Sequence, residues 1–302
     1  MIKYLSRRVK TDNKPKRKKL KMKIAVSAES TVDLTKELSE KYDIKILPYT
    51  IVMDGKEYKD GEIMPEDLFK TVDETKILPK TTALNAFEYG EWFDELLKEY
   101  DAVIHIGLSS EITSSLSHAE AAAKERNGVY VVDSLSLSTG IALSAIYARE
   151  LADGGMNPEA IAKKVSERTA HVQASFVIER LDYLFKGGRC NSIQLLGANV
   201  FKIRPSVWLN KGKMEMHKKY RGNMDAVIEK YCADTLAKFN TPDLDKVFIT
   251  YTTATPEMVS KARQACENAG FKKIYETRAG ATISSHCGAH TLGILYYNDG
   301  KQ

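Results

Sequence analysis

The feature of this sequence that most constrains its fold is an alternation of short apolar runs with amphipathic stretches, which begins at Lys23. Lys23–Ser27, Ala102–Leu108 and Val129–Val132 are typical of buried strands, and each is followed by a loop and a stretch with helical spacing. A repeated strand–loop–helix order predicts a parallel sheet with helices on both faces. We therefore predict an N-terminal α/β domain over residues 23–170.

The order of the predicted elements changes near residue 170. Strands and a hairpin then dominate, with two long helices after them. The strand-like segments are Phe176–Ile178, Ser206–Leu209, Lys213–Lys218 and Val247–Thr252, with a hairpin turn at Asn210–Lys213 and helices at Met224–Phe239 and Pro256–Ala269. This pattern predicts a second domain of the α+β class over residues 171–302. In the first half, Ile44–Val52 and Tyr58–Gly61 flank a turn and predict a further hairpin.

The charge is distributed unevenly along the chain. Residues 1–23 contain eleven Lys or Arg and one acid, Asp12, whereas the other 279 residues contain 34 basic and 39 acidic residues. The body of the chain is therefore mildly acidic and gives no general indication of nucleic-acid binding. We expect residues 1–22 to form a basic disordered tail, and weak contact of this tail with RNA or anionic lipid is the alternative.

Several common protein classes are disfavoured by what the sequence lacks. No apolar run approaches the roughly 20 residues of a membrane helix, so no membrane span is expected. The scattered cysteines, without CxxC spacing, are typical of reduced thiols in a cytoplasmic protein and predict neither a zinc site nor a disulfide framework. Walker A, GxGxxG, HExxH and GxSxG motifs are also missing, so we predict no metal and no cofactor.

Hydroxyl residues cluster directly after three of the predicted strands, in Ser27–Thr31, Ser109–Ser115 and Ser134–Thr139. In a parallel α/β sheet, ligands bind beyond the carboxyl ends of the strands, where helix N-termini offer free N–H groups. The clusters therefore predict a site for an anion such as a carboxylate or a phosphate. Simple N-capping of the following helices is the alternative.

Three further segments contain residues suited to a ligand site. Lys80–Thr82 is a loop or a helix cap that offers two hydroxyls. In Lys186–Arg189 two glycines allow an arginine to be placed for bidentate contact with an anion, and a flexible helix C-cap is the alternative. Ser284–Gly288 lies in the last strongly structured segment and contains a histidine beside a cysteine, without an evident base to activate the thiol.

Taken in order, these segments resemble the motifs of the DegV family, the fatty-acid-binding proteins that serve bacterial fatty acid kinase. Leu181–Arg189 is close to the highly specific family motif L-x-Y-L-x-K-G-G-R-I. The weaker matches are Glu29–Leu34 with DST-x-DL, Lys80–Thr82 with K-T-S, Ser109–Ser115 with SS-x-L-S-G-T, Phe201–Pro205 with a K-P element, and His286-x-Gly288. The resemblance extends from Lys23 to Tyr297.

The resemblance implies two α/β domains with an acyl chain buried between them and its carboxylate held by hydroxyl side chains. By position, the implied ligand-binding residues are Thr81, Thr82, Thr113, Ser114, Arg189 and His286. Thr82 and Thr113 are expected to hydrogen-bond the carboxylate, His286 to orient or polarise it, and Arg189 to act at the mouth of the site. The implied partner is an ATP-dependent fatty acid kinase subunit.

The sequence departs from the family pattern at four places. Glu29 stands where the family has Asp, Thr82 where Ser is usual, and Ser114 where the S-G-T match has Gly. The family's G-P-G after His286 reads Gly288–His290 here. Three of these differences, at Thr82, Ser114 and Gly288–His290, concern segments that the resemblance assigns to the carboxylate end of the site.

The sequence therefore predicts a cytoplasmic carrier that binds a long-chain fatty acid non-covalently and presents its carboxylate to a kinase for acyl-phosphate formation, without catalysis by the isolated chain. A cradle of hydroxyl and N–H groups fits this ligand, because a lysine buried beside an acyl tunnel would be costly. Two alternatives remain open. One is a phosphotransferase or hydrolase that acts on a small anion with His286 as base, and the other is a regulatory protein that uses the basic tail.

Overall fold

A computed structural model describes residues 22–190 and 203–300 of the chain. The strands are β1 (Ile24–Glu29), β2 (Ile44–Leu47), β3 (Thr50–Met53), β4 (Lys56–Lys59), β5 (Lys80–Thr82), β6 (Ala102–Gly107), β7 (Val129–Asp133), β8 (Val172–Val177), β9 (Ile203–Asn210), β10 (Lys213–Arg221), β11 (Lys246–Tyr251), β12 (Lys273–Arg278) and β13 (Leu292–Tyr297). The helices are α1 (Lys36–Lys41), α2 (Pro65–Thr75), α3 (Ala86–Leu97), α4 (Ser115–Lys124), α5 (Thr139–Asp153), α6 (Pro158–Thr169), α7 (Leu181–Gly187), α8 (Met224–Lys238), α9 (Pro256–Asn268) and α10 (Ala281–Cys287). A short 3-10 turn, Ser30–Val32, follows β1.

Four strands form a parallel sheet in the order β2-β1-β6-β7. The central strand β1 is buried along its whole length, as expected for a strand that is covered on both faces. Ala25 on one face packs with Phe93 of α3, whereas Val26 on the other face belongs to the cluster that contains Ile141 of α5 and Ile161 of α6. The predicted parallel sheet with helices on both faces is confirmed.

The second half of the chain builds a six-stranded mixed sheet in the order β10-β9-β8-β13-β11-β12. The pairs are antiparallel except for β11 with β12. The predicted turn at Asn210–Lys213 connects β9 and β10 as a hairpin. This sheet, with α8 and α9, forms the predicted α+β part of the fold.

Two short segments differ from their sequence-based predictions. Ile44–Val52 contains two strands, β2 in the parallel sheet and β3 in a small antiparallel sheet of order β4-β3-β5. They are separated at Pro48, whose nitrogen has no hydrogen to donate to a ladder. Lys80–Thr82 is the strand β5, so the prediction of a loop or helix cap is wrong. Three residues are too few to show the alternation that identifies a strand.

Ser284–Gly288 is followed by another buried element, contrary to expectation. Leu292–Tyr297 forms β13, which lies inside the six-stranded sheet and is buried at all six residues. Such a continuous apolar run is typical of a strand that is covered on both faces. His286 itself lies in helix α10.

The two sheets share one hydrophobic cluster. It contains Val26 of the parallel sheet together with Phe176 and Leu295 of the larger sheet. The larger sheet begins with β8 at Val172. The predicted domain division between residues 170 and 171 falls just before this strand and stays a prediction.

Some sequence-based predictions concern residues outside the described ranges. Residues 1–21 of the basic tail are among them, as are Phe201 and Lys202 of the K-P element. Within residues 22–190 and 203–300, no helix combines the length and the apolar character that a bilayer crossing requires.

A buried guanidinium connects α6 to the C-terminal part of the fold. Arg168 donates to Asp243 at 2.5 Å and to Asp299 at 2.8 Å. Its guanidinium group also lies 3.7 Å from the ring centroid of Tyr297 in β13. A planar guanidinium can make both contacts at once, so the buried positive charge is compensated by two carboxylates.

Replacing Arg168 with Met should lower the free energy of unfolding by about 3–5 kcal/mol, because two largely buried carboxylates would lose their counter-charge. Arg263→Met is the matched control, since Arg263 pairs with Glu276 at a side chain that is 41% exposed, and it should cost at most about 1 kcal/mol. Urea unfolding followed by circular dichroism measures both variants. Equal losses in the two variants would refute a special role for Arg168.

Candidate functional site

Helix α10 lies between the two halves of the fold, and two carboxylates hold its N-terminus. Asp33 accepts a hydrogen bond from the backbone N–H of Gly280 at 2.7 Å, and Asp60 accepts one from the N–H of Ala281 at 2.8 Å. The first N–H groups of a helix have no partner within the helix. Burial raises the pKa of Asp33, and the nearby Asp60 adds to this effect. These contacts fix α10 against the loops that follow β1 and β4.

The hydroxyl residues that directly precede α4 and α5 do not cap these helices. Ser138 is the N-cap residue of α5 and makes no side-chain cap bond, and its hydroxyl donates to Asp33 at 2.5 Å instead. Ser114 is the N-cap residue of α4, also makes no side-chain cap bond, and is exposed. The capping alternative is therefore wrong for these two residues.

His286 occupies the last turn of α10, and the structure brings it together with Thr81. The Nε2 atom of His286 lies 2.8 Å from Oγ1 of Thr81. The Nδ1 atom is buried and has no hydrogen-bond partner among the described residues. It faces Gly187, where an added Cβ would lie only 2.8 Å from Nδ1. Burial, reinforced by the positive charge of Arg189, lowers the pKa of His286 to about 4, so the imidazole is neutral at physiological pH.

The two threonines of β5 lie on opposite faces of the strand. Thr81 pairs with Ile51 and Thr82 pairs with Thr50 in the ladder between β5 and β3. Because side chains alternate along a strand, only Thr81 is on the face of the buried Ile51 and of His286. Thr82 is exposed. The geometry therefore favours Thr81 over Thr82, although Thr82 is the residue that the resemblance implies as the carboxylate contact.

Thr113 belongs to a hydroxyl cluster at the start of α4. Its Oγ1 donates to Oγ of Ser115 at 3.1 Å and accepts from the backbone N–H of the same residue. The hydroxyl of Tyr49 lies near both of these hydroxyls, and burial raises the pKa of this tyrosine. Tyr49 directly precedes β3, the neighbour of β5, and therefore links this cluster to the strand that contains Thr81.

Arg189 is exposed just after the C-terminus of α7. Its Nη1 atom donates to the carbonyl oxygen of Gly187 at 2.6 Å. It lines a cavity of about 830 Å³ together with Ile112, Met214 and Met216. Arg189 therefore lies at the solvent-exposed edge of the candidate site, next to the loop that contains Thr113.

Several residues of this region were not individually assigned as ligand contacts from the sequence. Ser115 is fully buried. It aligns with the threonine of the family's S-G-T motif, so the motif match could have identified it. The hydroxyls of Tyr49 and Thr282 are buried without a hydrogen-bond partner in the described part of the chain. Thr282 lies four residues before His286, which is visible only once the helix is known. Buried polar atoms are normally hydrogen-bonded, so these atoms fit a polar ligand group.

An apolar slot lies next to the polar cluster, between α10 and the larger sheet. Its apolar lining comes mainly from Leu137, Phe176, Ile283, Cys287 and Leu295. Its volume of about 20 Å³ is enough for about one water molecule. Helix α10 therefore offers His286 on its polar side and apolar side chains to the slot, an arrangement suited to an amphiphile.

Neither metal binding nor thiol chemistry is indicated for this region. Across residues 22–190 and 203–300, no three or more His, Cys, Asp or Glu side chains converge as metal ligands. Burial, reinforced by Asp33, raises the pKa of Cys287 to about 12. At neutral pH its sulfur is therefore a protonated thiol, which is a poor nucleophile.

Comparisons with known proteins agree with this description of the fold. The family model described as "Uncharacterised protein, DegV family" matches residues 23–299. The fatty acid-binding protein of Thermotoga maritima is 33% identical over 224 residues, which covers 71% of this chain and 78% of that protein.

Solved structures show the same architecture. A fatty-acid-binding DegV family protein from Thermus thermophilus superposes with a TM-score of 0.84 at 25% identity, over 91% of this chain and 99% of that one. DegV from Bacillus subtilis, a fatty acid binding protein, gives a TM-score of 0.79 at 26% identity over the same shares.

The low pKa of His286 leads to a prediction for stability. The pKa is about 4 in the folded protein against an ordinary value of 6.5, so between these values the unfolded chain binds more protons. The neutral His286 therefore favours the folded state fully above pH 6.5, and the free energy of unfolding decreases as the pH falls toward 4. Between pH 7 and 4.5 the wild type should lose about 2 kcal/mol more than His286→Gln. Urea titrations at both pH values test this, and parallel profiles would contradict a depressed pKa.

Proposed function

The chain belongs to the DegV family, and on that premise we propose that it binds a long-chain fatty acid non-covalently. The main observation in support is that α10 has two different faces. His286 contacts Thr81 on one face, and the other face lines an apolar slot. Relatives from Thermotoga maritima, Thermus thermophilus and Bacillus subtilis are described as fatty-acid-binding proteins. These descriptions support the same ligand class for this chain.

In this proposal the carboxylate binds among neutral donors. Thr81, Thr113 and His286 supply these donors, with Ser114 at the edge of the cluster. Hydroxyl groups can hydrogen-bond an anion without burying an opposite charge, which would be costly in an apolar setting. Nε2 of His286 lies 2.8 Å from Thr81, so a carboxylate there would meet both groups together.

The acyl chain would occupy the slot by separating α10 from the larger sheet. The slot has a volume of about 20 Å³, so it widens when a chain enters. Each buried CH₂ group contributes about 0.8 kcal/mol, and a long chain therefore offsets the loss of packing without a covalent bond. The side chains of Ile283 and Cys287, on α10, would contact the chain.

We further propose that the bound carboxylate is presented to an ATP-dependent fatty acid kinase subunit, which forms the acyl phosphate. Arg189 is exposed beside a cavity of about 830 Å³, where a partner can reach it. A kinase that uses cellular ATP would meet this carrier in the cytoplasm. The alternative with His286 as a general base is disfavoured, because a pKa of about 4 is far from neutral pH.

The ligand class is tested by mass spectrometry of the purified protein. A single long-chain fatty acid should be present in the native complex and should separate from the chain on denaturation and solvent extraction. Protein that is empty and takes up no added palmitate would contradict the proposal. Turnover of small phosphate or carboxylic esters by such protein would favour the enzyme alternative.

The carboxylate contact is tested by comparing the two threonines of β5. Thr81→Val should weaken palmitate binding about tenfold, the value expected for one hydrogen bond to a charged group. Thr82→Val should have little effect, because Thr82 is exposed on the other face. Thr71→Val, at a half-buried position of α2, is the control for the substitution itself. The reverse order of effects, measured by displacement of cis-parinaric acid, would assign the contact to Thr82.

The role of Arg189 is tested with the same ligand and a fatty acid kinase subunit. Arg189→Gln should leave the Kd for palmitate within about twofold, because the side chain is exposed and outside the donor cluster. Formation of acyl phosphate in the presence of ATP should fall at least about tenfold, the size of a lost charge-assisted hydrogen bond. Lys213→Gln, in the wall of the same cavity, is the control. Equal rates for both variants and the wild type would refute a role in presentation.

A further inference from the structure

A chain of buried polar side chains lies beneath the loop that contains Thr113. The indole N–H of Trp92 donates to the hydroxyl of Ser27 at 2.8 Å, and this hydroxyl lies 3.1 Å from Nδ1 of His105. Nε2 of the same histidine lies 3.2 Å from Oε1 of Glu29. Ser27, Glu29 and His105 are fully buried. The proposed ligand contacts use none of these four groups, so the cost of burying them requires another explanation.

Glu29 is the end of this chain of contacts, and its carboxylate holds the start of the loop. Oε2 accepts from the backbone N–H of Leu108 at 3.0 Å, and Oε1 accepts from the hydroxyl of Tyr89 at 2.6 Å. Burial alone would raise the pKa of Glu29, but His105, Tyr89 and the Leu108 N–H lower it below its usual value. The carboxylate is therefore ionised, and its hydrogen bonds are of the strong, charge-assisted kind.

Leu108 and Tyr89, which hydrogen-bond this carboxylate, both lie close to the proposed head-group site. Leu108 is the first residue after β6, and Thr113 follows five residues later in the same loop. The hydroxyl of Tyr89 lies near Ser115 and Tyr49, and Ser115 hydrogen-bonds Thr113. A shift of the Glu29 carboxylate would thus move the hydroxyl cluster from two directions.

We propose that Glu29 is a positioning residue for the head-group site, where it fixes the Leu108–Ser115 loop so that its hydroxyls face a carboxylate. This inference rests on the proposed binding of a fatty acid. Glu29 stands where the resembling family motif has Asp, and a side chain that is shorter by one methylene group would not reach Leu108 and Tyr89 from the same backbone position. Glu29 therefore sets the geometry of this chain's own site.

The test uses Glu29→Gln, which preserves volume but replaces one acceptor oxygen with an amide nitrogen. Palmitate binding should weaken about tenfold, the loss expected when a displaced hydroxyl of the loop no longer hydrogen-bonds the carboxylate. Hexadecanol, which has the same chain length but no carboxylate, should bind within about twofold of its wild-type affinity. Displacement of cis-parinaric acid measures both ligands. If the affinities for palmitate and hexadecanol fall equally, Glu29 only stabilises the fold and the proposal is overturned.

A second measurement does not require a variant at Glu29. The chain has two tryptophans, so Trp208→Phe leaves Trp92 as the only indole and as a reporter at the far end of the polar chain. Palmitate should change the emission of Trp92, whereas hexadecanol should not. Unchanged emission with palmitate bound, as verified by native mass spectrometry, overturns the proposal and leaves fatty acid binding intact. Wild-type protein that binds neither ligand would instead refute the proposed function itself.

Discussion

Two carboxylates from the first half of the chain hold the N-terminus of a helix in the second half, and this contact positions the candidate site. Asp33 and Asp60 accept from the first N–H groups of α10, which have no partner inside the helix. Because these contacts cross between the two sheet systems, they determine where α10 lies. The position of α10 in turn brings His286 to Thr81 and directs Ile283 toward the larger sheet.

The polar and apolar parts of the site are kept apart by burial and by charge. In the proposed binding mode the donors to the carboxylate are hydroxyls and an imidazole whose pKa is lowered to about 4, and among the described residues none of the side chains that line the apolar slot is a cation. Arg189, a cation at the edge of the candidate site, is exposed. The buried anion Glu29 is compensated by three hydrogen-bond partners, as the high cost of an unpaired buried charge requires.

The apolar slot between α10 and the larger sheet is narrow. Apolar side chains of α10 and the larger sheet pack on one another and leave about 20 Å³. An acyl chain inserted there would replace contacts between protein groups with contacts to a hydrocarbon, so apolar surface remains out of water in both states. The carboxylates at the N-terminus of α10 would keep the helix attached while its other parts separate from the sheet.

The amino-acid sequence was sufficient to predict the class of the fold and to name the segments that contribute to the candidate site. Apolar runs and helical spacing are local properties, and they correctly indicated the parallel sheet, the hairpin at Asn210–Lys213 and the α+β second half. The tertiary structure alone decided which side chains meet. Thr81 and His286 are 205 residues apart, and Lys80–Thr82 became a strand because of its partner β3 rather than its own propensity. Contacts of Tyr49 and Thr282 had no signal in the sequence, because burial and strand pairing depend on residues distant along the chain.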